Sequence, residues 1–187
     1  MNIAVVIPAL NEAAAIGHVL DAIPPWVDAI VVVDNGSTDS TAAIARQHGA
    51  SVVFEPRRGY GAACLRGLVA VENPDIVVFL DADNSDDPSE MASLIEPIAR
   101  GEADLVIGSR ALGQAAPGSL TWPQRIGNEL ASALIRRIWK QTCTDLGPFR
   151  AIRFSALLNL GMNDLGYGWT VQMQARALRR GLRVVEV

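Results

Sequence analysis

Ile76-Val77-Val78-Phe79-Leu80-Asp81-Ala82-Asp83-Asn84-Ser85-Asp86-Asp87-Pro88-Ser89-Glu90-Met91 joins three signals in sixteen residues. Ile76–Leu80 is a short apolar run and reads as a buried strand. Asp87, Pro88 and Glu90 stand at the N-cap, N1 and N3 positions of a capping box and open a helix. Met91, Leu94, Ile95 and Ile98 supply that helix with a buried stripe. Between strand and helix, Asp81 and Asp83 are two residues apart in extended chain. They therefore share one side, with Cα atoms roughly 6.6 Å apart.

The same alternation extends in both directions. Ile3–Ile7, Ala29–Val33, Ser51–Phe54 and Asp104–Ile107 read as further strands. Ile16, Val19, Leu20 and Ile23 fall at helical spacing, a second helix opens near Ser37, and a third carries Leu65, Leu68 and Val69. Strands alternating with helices predict βαβ units, a mostly parallel sheet and helices on both faces. Past Ser109 the rhythm changes. Gly113–Ser119 reads as a loop, and Ile126, Leu130, Leu134 and Ile138 mark a longer helix. Thr142–Arg150 is irregular, Thr170–Arg180 is helical, and Leu182–Val187 is a last strand. Because the chain ends inside a strand, it is expected either to be a shortened form or to have part of its site built by another chain, and the strand leaves an edge on which a second chain could pair.

Composition fixes the class. The 187 residues suit one domain, and 50% hydrophobic with 19% charged residues excludes disorder. No apolar run approaches the roughly 20 residues of a membrane span. The first strand lacks a basic flank and contains Pro8, unlike a signal peptide. Cys64 and Cys143 read as free thiols in a reducing, cytoplasmic compartment. Residues 1–120 carry 6 basic and 16 acidic side chains, a balance of −10; residues 121–187 carry 10 and 4, a balance of +6. Solvated faces explain this as well as acids around a cation and bases toward an anionic partner do. Aromatic residues are only 5%, with no basic stretch among them, so nucleic acid is not an expected partner.

In open α/β sheets, ligands bind at the carboxyl ends of the strands. After the first strand stand Pro8, Asn11 and Glu12, where the glycine-rich turn of a dinucleotide fold is missing. Asn11 and Glu12 serve equally as helix cap and dipole partner. Asp34 ends the second apolar run, where a carboxylate has no packing role and suits a base N–H or a ribose hydroxyl. Arg57-Arg58-Gly59-Tyr60-Gly61 opens a helix, and its start would favour an anion. Asp81 and Asp83, flanking Ala82, can hold a hard cation that bridges a diphosphate. A helix-capping loop explains Asp86 and Asp87 but not Asp81. Ser109-Arg110 follows the fifth strand and offers a cation.

In these stretches the chain resembles the family 2 glycosyltransferases of the GT-A fold, and within them the polyprenyl (dolichyl)-phosphate sugar synthase-like branch. The matching segments are residues 6–12, 32–39 and 58–63, Asp81-Ala82-Asp83 with Pro88, residues 108–110, and Thr144-Asp145 with 147–150. The resemblance implies a three-layer α/β/α sandwich, Rossmann-like, with a mostly parallel sheet. It implies one GT-A domain over 1–187, with 1–110 binding a nucleotide sugar and 111–187 facing the acceptor. It further implies metal-dependent, inverting hexose transfer from a UDP- or GDP-linked donor to an acceptor, a polyprenyl phosphate in this branch. That acceptor would bring peripheral contact with the inner face of the membrane. By the same resemblance Pro8, Asn11, Glu12 and Asp34 line the nucleoside pocket, Arg58, Gly59 and Ala82 lie along the donor, and Asp81 and Asp83 hold Mg²⁺ or Mn²⁺. Arg110 and Arg150 would lie beside phosphates.

The chain departs from the family where Asn35 replaces a second Asp, Ser85 a common Gln and Tyr60 a common Lys. Neither Thr170 nor Gln172 is the acid often found there. A hydroxyl acceptor needs a general base, for which Asp145 is the candidate; an ionised lipid phosphate needs none. Trp169, beside Gly166-Tyr167-Gly168, is the candidate sugar platform, while Trp122 and Trp139 read as core or interface, and His18 and His48 as ordinary helix residues. The competing readings are a soluble hydroxyl acceptor, a nucleotide-sugar-binding protein without transferase activity, and a nucleotidyltransferase. The last would want an anion loop directly after the first strand.

Overall fold

The computed structural model describes residues 1–109 and 146–187. Seven strands form one sheet: β1 (Ile3–Ala9), β2 (Ala29–Asp34), β3 (Ser51–Phe54), β4 (Ile76–Phe79), β5 (Leu105–Ile107), β6 (Arg150–Arg153) and β7 (Val184–Glu186). Their spatial order is β3-β2-β1-β4-β6-β5-β7. β1 pairs in parallel with both β2 and β4, placing Val5 beside Ile30 and Val78. β6 alone runs antiparallel, between β4 and β5.

The period of two in β1 explains the three layers. Ile3, Val5, Ile7 and Ala9 point to one face, where α1 (Ile16–Ala22), α2 (Thr41–Gln47) and α4 (Met91–Ala99) cover them with Ile16, Val19, Ala45, Met91 and Leu94. Ala4 and Val6 point to the other, under α3 (Tyr60–Ala70), α5 (Phe154–Leu160) and α6 (Trp169–Arg179), with Cys64, Leu157, Leu160 and Met173. A strand buried on both faces has no polar alternation, which is why Ile3–Ile7 and Ile76–Leu80 read as continuous apolar segments, whereas β3, at the sheet edge, exposes Ser51 and Phe54. Truncating a fully buried residue such as Ile7 to Ala would cost about 2–5 kcal/mol.

Two local differences have physical causes. Asp87 caps a single 3₁₀ turn, Pro88–Glu90, by accepting the Ser89 N–H at 2.9 Å; α4 begins only at Met91. β6 and α5 escape the pattern because β6 is four residues with an arginine at each end, Arg150 and Arg153. Its pairing, Ala151 beside Val78 and Ile152 beside Val77, is set by tertiary contact.

From β1 the chain steps outward on one side to β2 and β3, and then crosses back through α3 to β4 on the other side of β1. Such a reversal of strand order opens a crevice at the carboxyl ends. Here it lies between the ends of β1 and β4.

Candidate functional site

A cleft of about 460 Å³ occupies that crevice. Pro8, Ala9, Leu10 and Glu12 line it from the end of β1, and Asp81, Ala82 and Asp83 from the end of β4. Asn35, Arg58, Gly59, Tyr60 and Ala63 line the side toward α3, and Tyr167 reaches in from the loop before α6. Of the residues singled out in the sequence, Pro8, Glu12, Arg58, Gly59, Asp81, Ala82 and Asp83 are therefore brought together.

The cleft is acidic along its β1–β4 side. The Glu12 carboxyl is pushed above the usual range, first by burial and then by repulsion from Asp83 and Asp39. Asp83 accepts the Ser85 N–H at 3.0 Å through one oxygen, which fixes the turn after the pair. Two carboxylates suit a hard divalent cation. Among the described residues no three His, Cys, Asp or Glu side chains group closely enough to hold one. An ion at Asp81 and Asp83 would thus complete its coordination from a bound molecule, as a diphosphate does. Tyr60 stays protonated: burial, then Cys64 and Asp81 beside it, push its hydroxyl well above the ordinary value. Cys64 is a buried free thiol, held in its neutral form chiefly by the same burial.

Asn11 and Asp34 do not line the cleft. Asn11, in the left-handed region at φ 60°, accepts the Thr38 N–H at 2.8 Å, and its own N–H donates to Ser37 Oγ at 3.0 Å. Asp34 accepts the Ser37 N–H at 2.8 Å. Asp39 accepts from the Thr41 N–H and hydroxyl, which hold its carboxyl below the usual range. These residues lash the β1 and β2 loops together beside the cleft.

Arg150 is placed away from the cleft. It is fully buried, and its guanidinium donates to the carbonyls of Leu146, Gly147 and Thr170. It joins the chain entering β6 to the start of α6, a role other than the phosphate contact expected of it. Trp169 is corrected outright as a sugar platform. It has no exposed surface and packs edge-on against Phe79, with ring centroids 5.9 Å apart. The aromatic residue that does reach the cleft is Tyr167, 88% exposed and stacked on Tyr60 at 6.4 Å and 23°. An aromatic between glycines was the available signal; which of the two neighbouring rings it buries is a tertiary matter. Arg110 and Asp145, like Trp122 and Trp139, lie outside the described residues.

The start of α3 is also not an open anion site. The Gly61 and Ala62 N–H groups donate to the carbonyls of Gly166 and Leu165, at 3.1 and 3.0 Å. Gly59 and Gly61 make this possible. A Cβ on Gly59 would fall 2.1 Å from the Leu165 carbonyl oxygen, and one on Gly61 2.1 Å from that of Asp164. The backbone that approaches these glycines is the chain's own loop.

A mostly parallel sheet whose strand order reverses, with an acid pair at the crevice on its carboxyl edge, is the arrangement in which open α/β folds bind ligands. The model of Glycosyl transferase family 2 matches residues 4–161, and the chain belongs to that family. It is 41% identical over 187 residues to an uncharacterized glycosyltransferase of Mycobacterium tuberculosis, covering 99% of this chain and 83% of the relative. It is 32% identical over 207 residues to an undecaprenyl-phosphate mannosyltransferase of Micrococcus luteus, covering 100% and 82%. Among solved structures, glucosyl-3-phosphoglycerate synthase from M. tuberculosis, crystallised with Mn²⁺, UDP-glucose and phosphoglyceric acid, superposes with a TM-score of 0.82 at 30% identity. That match covers 100% of this chain and 69% of the other.

Proposed function

We propose that this glycosyltransferase moves a hexose from a UDP- or GDP-linked donor to an acceptor that carries a phosphate. The observation that carries the reading is the placement of Asp81 and Asp83 at the switch-point crevice, opposite Arg58 and Tyr167. A Mg²⁺ or Mn²⁺ ion on Asp81 and Asp83 would neutralise the charge developing on the departing nucleoside diphosphate. Pro8, Ala9 and Leu10 give the nucleoside an apolar wall. Arg58 supplies positive charge on the α3 side of the cleft. Tyr167 forms the outer wall, where the hexose or the acceptor must pass.

The acceptor reading rests on the lack, among the described residues, of an acid at the start of α6, and on the relatives' names. The first turn of α6 holds no acid. Gln172, at one of the positions where the family often has an acid, accepts the N–H groups of Asn163 and Asp164 and donates to Asn163 Oδ1. A phosphate acceptor is already ionised and needs no base. An undecaprenyl phosphate fits this, and so does the +6 balance of residues 121–187. A second reading is a soluble phosphorylated acceptor joined through a hydroxyl, favoured by the likeness to glucosyl-3-phosphoglycerate synthase. There Asp145 is the candidate base. No described helix is long and apolar enough to cross a membrane, so a lipid acceptor would be met at the membrane surface.

The test begins with thermal midpoints in UDP, GDP, UDP-glucose and GDP-mannose, with and without Mn²⁺, for the wild type and Asp83→Ala. A ligand at 100 times its dissociation constant adds about 2.7 kcal/mol. The expected result is a metal-dependent rise with one nucleotide, lost in Asp83→Ala. The preferred donor is then offered to polyprenyl phosphate in detergent and to phosphoglycerate. Product on the lipid supports the first reading and product on phosphoglycerate the second. No nucleotide effect and no transfer would overturn both.

A further inference from the structure

Asn35 lines the cleft, yet both of its side-chain N–H donors and its side-chain oxygen are engaged by backbone. It is 5% exposed. Its Nδ2 donates to the Glu55 carbonyl at 3.0 Å and to the Arg57 carbonyl at 2.8 Å. Its Oδ1 accepts the Gly59 N–H at 2.8 Å. A carboxamide has two N–H donors and one carbonyl, and here all three meet the backbone of a single loop. That loop, residues 55–59, crosses from β3 to α3 and carries Arg58 to the cleft.

Three further contacts converge on the same seam. The Asn35 N–H donates to the Ala9 carbonyl at 2.9 Å, which fixes Asn35 to the end of β1. The Glu55 N–H donates to the Asp34 carbonyl at 3.0 Å. Arg58 returns its Nη2 to the Gly36 carbonyl at 3.1 Å. The Arg58 side chain is exposed and long, and this seam is what holds it at the cleft. We infer that Asn35 is the positioning residue for Arg58 and Gly59, and that this chain's loop, whose Glu55 and Arg57 carbonyls both take a donor from it, requires an amide where the family often has an acid. The part concerning the donor rests on the proposed function above; the part concerning the loop does not.

The chemistry separates amide from acid. An aspartate at 35 could still accept from Gly59, but its other oxygen would face two carbonyl oxygens with nothing to donate. Two hydrogen bonds are lost and a repulsion is added. An alanine loses the bonds without the repulsion. Both should loosen residues 55–59 while leaving β1 and the Asp81–Asp83 pair in place.

The experiment uses the full chain as wild type, Asn35→Asp, Asn35→Ala, Arg58→Ala and the Asn35→Ala/Arg58→Ala double variant. Amide hydrogen exchange is read over residues 55–61 and over β1. Donor KM and kcat are read with the nucleotide sugar and metal found active above. In both Asn35 variants exchange over 55–61 should quicken about tenfold or more, with β1 unchanged. Donor KM should rise about tenfold, with kcat within about twofold. Adding Asn35→Ala to Arg58→Ala should raise KM by less than about twofold, because the two act through one contact. Unchanged exchange over 55–61, multiplying KM effects, or a fall in kcat with KM unchanged would each overturn the inference. So would loss of the fold in both Asn35 variants, which would make the residue structural. If the wild type turns over no nucleotide sugar, the proposed function fails, while the exchange result still decides the role of Asn35 in the loop.

Discussion

Tyr167 and Trp169 stand two residues apart and carry opposite burdens. Trp169 has no exposed surface and fills the core beside Phe79 and Met173. Tyr167 is 88% exposed, on a loop pinned at several points. Gln172 accepts the N–H groups of Asn163 and Asp164, Asp164 accepts that of Gly166, and Arg176 donates to Asn163 Oδ1 and the Leu160 carbonyl. A large exposed ring on so fixed a backbone stabilises little, so its role is at the cleft. Tyr167→Ala should reduce transfer about tenfold and leave the urea midpoint unchanged, since exposed side chains change stability by about 0.5 kcal/mol or less. Trp169→Ala should do the reverse first, removing about 3–5 kcal/mol of stability. Equal loss of midpoint in both would show that Tyr167 is a packing residue.

Helix α3 is held at its start by backbone, and Gly61 is where this is most sensitive. In an open helix Gly→Ala gains about 1 kcal/mol. At Gly61 the added Cβ would meet the Asp164 carbonyl oxygen at 2.1 Å and its carbon at 2.9 Å, and neither is a flexible side-chain end that can swing away. Overpacking of this kind costs about 1–3 kcal/mol and here also strains the bond from Gly61 N–H to Gly166. The clash outweighs the propensity, so Gly61→Ala should lower stability by about 1–2 kcal/mol in urea unfolding; a gain would show that the loop yields. The same contact marks the limit of reading by pattern. That glycines here admit a close backbone was legible, because the residue type states it. That the backbone belongs to residues 164–166 was not, because nothing local links positions a hundred residues apart. Strands β1, β4 and β5 were legible because both faces are buried, and β2 and the edge strand β3 because their short apolar runs stand clear of their flanks. β6 was not, because arginines close both its ends and one of them, Arg150, folds inward onto carbonyls. Asp81 and Asp83 were legible as a pair after an apolar run, whereas the three-way bonding of Asn35 and the exposure of Tyr167 exist only in the assembled cleft.

Across the whole molecule the acids divide between the two edges of the sheet. At the carboxyl edge, Glu12 and Asp83 repel each other across the cleft. At the amino edge, Asp28, Asp75 and Asp104 each immediately precede a strand and each satisfy backbone N–H groups. Asp28 accepts from Ile3 and Asp75 from Asn2, both at 2.7 Å. Asp104 accepts the Arg183 N–H and Nε at 3.0 Å and Nη2 at 2.8 Å, with Arg153 Nε at 3.8 Å. One carboxylate thereby ties the starts of β5 and β7 to the end of β6. The sign of the pH dependence follows. Hydrogen bonds from Arg183 hold the Asp104 carboxyl below its ordinary range, against the opposing effect of burial. A group with a depressed folded pKa contributes its full stability above the unfolded value, near 3.9, and loses it as pH falls through the lower folded value. Asp104→Asn mimics the protonated acid. It should therefore be less stable than wild type by about 1 kcal/mol at pH 7, a modest figure because Arg183 is half exposed. The gap should persist at pH 5 and close progressively below about pH 4, as the wild-type carboxylate takes up its proton. Urea midpoints of the two proteins at pH 7, 5 and 3 read this directly. A gap of the same size at all three would mean that Asp104 acts through its shape and its main chain, and that its charge contributes nothing to holding the three strands.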